Sequence, residues 1–177
     1  LTLEDLLNGL LLYSGNDNAV AIADHIAGST EKFAEMMNAE AKKLMATNSH
    51  FVNPSGLHDD NHYTTAYDLY LIFNECIKHD DFVKIINSSS YTAHITGADG
   101  TKRDVKWEPT NYYAKGEATP PDNVTIIGGK TGTTKGAGNC LILLTKDSSG
   151  NPYISIIMGA GSKPLLYQDM TSMLSKI

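Results

Sequence analysis

The hydrophobic period changes once along this chain, and that change limits the fold more than any other feature. Up to residue 77 the apolar residues recur every three or four positions, as helices require. Leu3, Leu6, Leu7, Leu10 and Leu11 begin the pattern behind a Thr2/Asp5 capping signature. Ala19, Val20, Ile22, Ala23 and Ile26 continue it to Gly28, a residue suited to a left-handed helix end. Ser29 opens a third helix along Phe33, Met36, Met37, Leu44 and Met45. Thr65 caps a fourth along Leu69, Ile72, Phe73, Cys76 and Ile77. Between these two, residues 47–63 are rich in Asn, His, Asp, Pro and Gly and read as a long loop. Asp80-Asp81 reads as a helix start, with a short turn over 81–86.

From residue 91 the period becomes two. Residues 91–95 alternate, 97–100 turn, and 102–107 return as a partner strand. Three more antiparallel strands are expected near 126–131, 139–146 and 153–160. The last two are joined by Asp147-Ser148-Ser149-Gly150-Asn151-Pro152, a strong turn signal. A final amphipathic helix over 165–177 carries Leu166, Met170, Met173, Leu174 and Ile177 toward the sheet. Helices first, antiparallel strands after and a covering helix last define an α+β class. At 177 residues this is one domain.

Charge and composition remove several function classes. The net charge of −6 is the wrong sign for a phosphate-backbone binder, so no nucleic-acid partner is expected. No apolar run approaches the roughly 18–20 residues that cross a bilayer. Cys76 and Cys140 lie in apolar runs and read as buried thiols rather than a disulfide framework.

Two tripeptides carry chemistry: Ser14-Gly15-Asn16 between helices, and Lys130-Thr131-Gly132 at the end of a strand. A given tripeptide turns up by chance in about one chain of this length in twenty to thirty. Alone, Ser14-Gly15-Asn16 reads as an interhelical turn in which Gly and Asn take positive φ, and Gly128-Gly129-Lys130-Thr131-Gly132 as a flexible strand end. Together, and in this order, they resemble the second and third motifs of the serine D-alanyl-D-alanine carboxypeptidases. These are low-molecular-mass penicillin-binding proteins, of the same superfamily as the serine β-lactamases. The resemblance extends to Leu1-Thr2-Leu3-Glu4-Asp5-Leu6-Leu7, His25-Ile26-Ala27-Gly28-Ser29, His50-Phe51-Val52-Asn53-Pro54-Ser55-Gly56-Leu57, Tyr63-Thr64-Thr65-Ala66-Tyr67-Asp68-Leu69 and Thr110-Asn111, so it covers nearly the whole chain.

The family's first motif, Ser-x-x-Lys, lies several tens of residues before the second, whereas 13 residues precede Ser14 here. The Ser-x-x-Lys string that is present, Ser29-Thr30-Glu31-Lys32, follows Ser14, and Ser29 has a sufficient use as a helix cap. The expectation is therefore a penicillin-binding domain without its first strands and nucleophile helix, inactive alone, with an open sheet edge available for self-association.

The resemblance implies acyl transfer from a stem peptide ending in D-Ala-D-Ala, at the outer face of the cytoplasmic membrane or beyond it, with acylation by β-lactams and no cofactor. It gives Ser14 a proton-relay role, Asn16 an orienting role and Lys130 the charge that anchors the substrate carboxylate. Gly15 shapes the turn. Thr131 and Thr133 add hydroxyl donors, with the Thr133 N–H in the oxyanion hole, and Gly132 leaves room for the substrate along the strand. Two other readings stand beside this one. The first is a muropeptide-binding paralogue or fragment without turnover. The second is a β-lactamase, against which Gly15 and the lack of a Glu-x-x-x-Asn loop argue. His58 and His62 have the spacing of a helical zinc pair, but Pro54, Gly56 and Asn61 argue for a loop, so no metal is expected. Trp107, Tyr112 and Tyr113 read as packing residues, with a glycan-facing rim as the alternative.

Overall fold

The computed structural model describes residues 1–177. Five helices come first: α1 (Leu3–Tyr13), α2 (Asn16–Ala27), α3 (Thr30–Lys43), α4 (Ala66–Cys76) and α5 (Asp80–Ile86). An antiparallel hairpin of β1 (Tyr91–Thr96) and β2 (Lys102–Trp107) follows. The single-turn α6 (Tyr112–Lys115) leads into β3 (Val124–Thr134), β4 (Gly138–Asp147) and β5 (Pro152–Ala160), and α7 (Lys163–Leu174) comes last. The second sheet is antiparallel in the order β3-β4-β5.

Local chemistry sets the boundaries. The Thr2 N–H donates to Asp5 Oδ2 at 2.7 Å while the Asp5 N–H donates to Thr2 Oγ1 at 3.1 Å, a complete capping box. Gly28 ends α2 at φ 79°. Ser29 Oγ accepts from the Lys32 N–H at 3.2 Å to start α3, and Thr65 Oγ1 accepts from the Asp68 N–H at 3.1 Å to start α4.

Three differences from the periodicity have physical causes. Strand β3 runs past both ends of the expected 126–131, because pairing with β4 continues from Val124↔Asp147 to Thr134↔Gly138 through the glycines. Helix α7 covers Lys163–Leu174 instead of 165–177: Ser162 Oγ accepts from the Leu165 N–H at 3.3 Å, with Pro164 in the first turn. Helix α6 was not expected, since one turn capped by Asn111 is too short to show a period.

The β3-β4-β5 sheet is covered on both faces. Leu141 and Leu143 point to one side and pack with Leu166, Met170 and Leu174 of α7. Leu144, one residue out of phase, points to the other side and packs with Phe73 of α4 and Ile86 of α5. Each such buried side chain contributes about 1.5–3 kcal/mol of apolar transfer. The cysteines depart from expectation, because Cys76 and Cys140 are both half-buried rather than buried. The small hairpin is tied to the helices: Tyr91 stacks on the buried Trp107 and donates its hydroxyl to Asp5 Oδ1 at 2.9 Å. Trp107 is thus a packing residue.

Candidate active site

The first half of the site is the corner between α1 and α2. Ser14 ends α1 in the left-handed region at φ 62°. The Gly15 N–H returns to Gly9 O at 3.1 Å, and α2 begins at once with Asn16. The residue with positive φ is therefore Ser14. Gly15 sits at φ −65°, and Asn16 already belongs to the helix. This differs from the reading of the tripeptide alone as a turn in which Gly and Asn take positive φ. Gly15 is needed for a different reason. The side chain of Asn18 is buried in the corner, with its Nδ2 donating to Leu6 O at 3.3 Å. A Cβ on Gly15 or on Gly9 would run into that carboxamide. A non-glycine residue held in the left-handed region costs of order 1–2 kcal/mol and marks a place where the fold over-determines the backbone.

The second half is strand β3. Gly128 lies against the Ile86 carbonyl of α5, and Gly129 against the Ile142 carbonyl of β4, with no room for a side chain at either. The strand is thereby seated closely, and Lys130 follows directly. Its ammonium donates to Ser14 Oγ and, at 2.7 Å, to Thr131 O. Burial pushes the Lys130 pKa down to about 8, because the charged form loses its water.

Ser14, Asn16, Lys130, Thr131, Gly132 and Thr133 line one cavity of about 390 Å³. A Cβ on Gly132 would meet open space. The Thr131 hydroxyl is 2.6 Å from Thr110 Oγ1, and Thr133 Oγ1 donates to Asn139 Oδ1 at 3.4 Å. The residues singled out in the two tripeptides thus come to this cavity, all but Gly15, across 116 positions of sequence. Gly15 lies behind them in the corner.

Other residues complete the walls. Ser55, Gly56 and Leu57 form one side, on a turn held by Asn53 Oδ1, which accepts from the Gly56 N–H at 2.8 Å. Thr110, Tyr112 and Lys163 form another, and Cys140 lies beside Gly132 across the β3–β4 ladder. These residues carried no chemical signal in the sequence beyond Thr110-Asn111 and Ser55-Gly56-Leu57 standing in the family-like text. Tyr112 does face the cavity, with its ring stacked 4.6 Å from Tyr167, whereas Tyr113 is buried.

Ser29 is not part of this cavity, and its hydroxyl caps α3. His50 and His62 serve the long loop itself, and His58 lies against Gly136 of the β3–β4 turn. His50 Nδ1 bonds Asn61 O at 2.6 Å, and His62 Nδ1 accepts from the Val52 N–H at 3.2 Å. Burial lowers the His62 pKa.

With this geometry in view, the relatives are informative. The peptidase S11 family profile, D-alanyl-D-alanine carboxypeptidase, matches residues 1–162. The D-alanyl-D-alanine carboxypeptidase DacF of Bacillus subtilis is 31% identical over 98% of this chain and 42% of its own length. DacD of Escherichia coli is 34% identical over 91% of this chain and 38% of its own length. The chain thus spans about two fifths of the curated relatives it matches. The crystal structure of the Streptomyces K15 DD-transpeptidase superposes with a TM-score of 0.89 at 30% identity, over 99% of this chain and 67% of that one. The fold is that of the penicillin-binding DD-peptidases, and the chain belongs to the D-alanyl-D-alanine carboxypeptidase family.

Proposed function

We propose that this chain supplies the carboxylate-anchoring and proton-relay half of a serine D-alanyl-D-alanine carboxypeptidase site. The observation that carries the reading is the Lys130 ammonium, held in a half-buried position against Ser14 Oγ at the edge of an open cavity. A cation deprived of water there gains most from a ligand carboxylate, which is what a peptide ending in D-Ala-D-Ala presents. Thr131 and Thr133 add hydroxyls to the same anchor. Ser14 Oγ accepts from Lys130 and keeps its own proton, so it can pass one proton on as it takes another, toward a leaving amine. Asn16, at the cavity wall, orients the peptide. Gly132 leaves the strand edge clear, so that the peptide can lie along β3 as an added strand, with the Thr133 N–H toward its carbonyl oxygen.

The nucleophile and its lysine base come from a Ser-x-x-Lys segment outside these 177 residues. Two observations support this: Ser29 is engaged as a helix cap, and DacF and DacD are each more than twice as long. The complete site, at the outer face of the cytoplasmic membrane or in the wall, releases D-alanine through an acyl-serine, and β-lactams acylate the same serine. Strand β5, hydrogen-bonded on one side, is the edge through which the chain alone self-associates.

Fluorescent-penicillin labelling on a gel tests the reading. The 177-residue chain stays unlabelled, and the chain joined to a Ser-x-x-Lys segment of a relative is labelled. Lys130→Ala in the joined protein weakens labelling strongly. Covalent labelling of the 177-residue chain at Ser14 or Ser29 overturns the assignment of the nucleophile. Absence of labelling in the joined protein favours a muropeptide binder without turnover.

A further inference from the structure

Thr110 stands where the two halves of the site meet. Its backbone N–H donates to Leu12 O at 3.1 Å, two residues before Ser14. Its hydroxyl lies 2.6 Å from the Thr131 hydroxyl, next to Lys130. The segment is fixed on both sides: Pro109 and Asn111 are buried, and the Tyr112 N–H donates to the Tyr167 hydroxyl at 2.9 Å. Thr110 also forms the partition between the main cavity and a second one of about 280 Å³ bounded by Tyr13, Lys106 and Lys115.

We propose that Thr110 is a positioning residue whose hydroxyl sets Thr131 as a hydrogen-bond donor to the ligand carboxylate. The inference rests on the carboxylate-anchor reading of Lys130 and Thr131. Each threonine hydroxyl has one proton, and one of the pair donates to the other. When Thr131 donates to Thr110, its proton is unavailable to a ligand. An ionised carboxylate only accepts, so its arrival turns the Thr131 proton toward it, and Thr110 then donates into the lone pair that Thr131 leaves open. Thr131 is held at its oxygen while its O–H is polarised, and both effects strengthen its bond to the anion. The backbone bond from Thr110 to Leu12 keeps this hydroxyl in register with the Ser14 side of the site. Thr110 thus acts through Thr131 and needs no contact with the ligand.

The test separates a carboxylate effect from a general one. N-acetyl-D-Ala-D-Ala and its C-terminal amide are titrated into the 177-residue chain and followed by NMR. Wild type binds the acid in preference to the amide. Thr110→Val, which keeps the shape and removes the hydroxyl, weakens the acid about fivefold and leaves the amide unchanged. Thr110→Ser restores the acid. Thr110→Val added to Thr131→Val costs nothing further. Should Val disturb the partition, as a melting curve would reveal, Thr110→Ala keeps the backbone bond to Leu12 and gives the same selective loss. Equal weakening of acid and amide, or an unchanged acid affinity in a folded Thr110 variant, overturns the inference and leaves the anchor reading intact. A wild type with no preference for the acid overturns the anchor reading itself, and the role of Thr110 with it.

Discussion

Lys130 donates a hydrogen bond to Ser14 although 116 positions of sequence separate them. Ser14 belongs to the corner that closes α1, and Lys130 to a strand of the three-stranded sheet. The bond therefore reports on how the helical half of the fold docks on the sheet. It also costs something, since it holds a half-buried ammonium with a depressed pKa.

That depression predicts a pH dependence. With Lys130 titrating near about 8, a carboxylate ligand finds a full positive charge below that pH and loses it above. Affinity for N-acetyl-D-Ala-D-Ala should be flat from pH 6 to 7 and fall up to about tenfold per pH unit above 8. Lys130→Arg, charged throughout, should remove the fall. For stability the sign is opposite. Between the folded value of about 8 and the ordinary 10.5, the unfolded chain binds more protons, so this group makes folding more favourable as pH rises through that window. Titrations and melts across pH 6–10 check both.

Gly15→Ala should destabilise the fold by about 1–3 kcal/mol, because its Cβ drives into the buried Asn18 side chain. Asn18→Ala loses its own bond to Leu6 O but opens that space, so the double variant should be less destabilised than the two single effects added together. Urea unfolding of the four proteins measures the coupling, and strict additivity would contradict the wedge.

Ser14→Gly should change stability by no more than about 1 kcal/mol, because the relief at φ 62° is offset by the lost bond from Lys130. The same change removes the hydroxyl that Lys130 contacts, so turnover in the joined, unlabelled protein should fall by a hundredfold or more. Thermal melts and D-alanine release read the two effects separately.

Gly132→Ala should fold as well as wild type, because the new Cβ points into open space. It should weaken peptide binding, because that space is the cavity along the strand. An unchanged affinity would move the ligand away from β3.

The legibility of this site in the sequence was uneven for physical reasons. Ser14 and Lys130 could be named because their chemistry sits in short, recognisable strings. Their docking could not be derived from either string, since it depends on Gly128 and Gly129 seating β3 against α5 and β4. The corner is less legible in detail. A Gly between Ser and Asn suggests that Gly carries the positive φ, yet the buried Asn18, outside the motif, decides where Gly is required. Thr110 stands in the family-like text, but its pairing with Thr131 is silent in sequence, because the partner lies 21 positions away and a hydroxyl pair leaves no period. The fold itself was legible in outline. Leu141 and Leu143 alternate with Ile142 and Leu144, and both faces of β4 are covered, as such a run requires.

Strand β4 is bonded on both sides, whereas β3 is bonded only to β4. In an antiparallel ladder, successive residues turn their N–H groups alternately toward and away from the partner. From Lys130 to Thr134, every second amide of β3 therefore faces the cavity side instead of β4. Deuterium should enter those amides within the first seconds of labelling, while Leu141 and Leu143 exchange only through global opening. The strand thus carries an isotopic ruler along its outer edge. A peptide added there slows alternate positions, and the phase of that alternation gives the register of the bound peptide without a crystal.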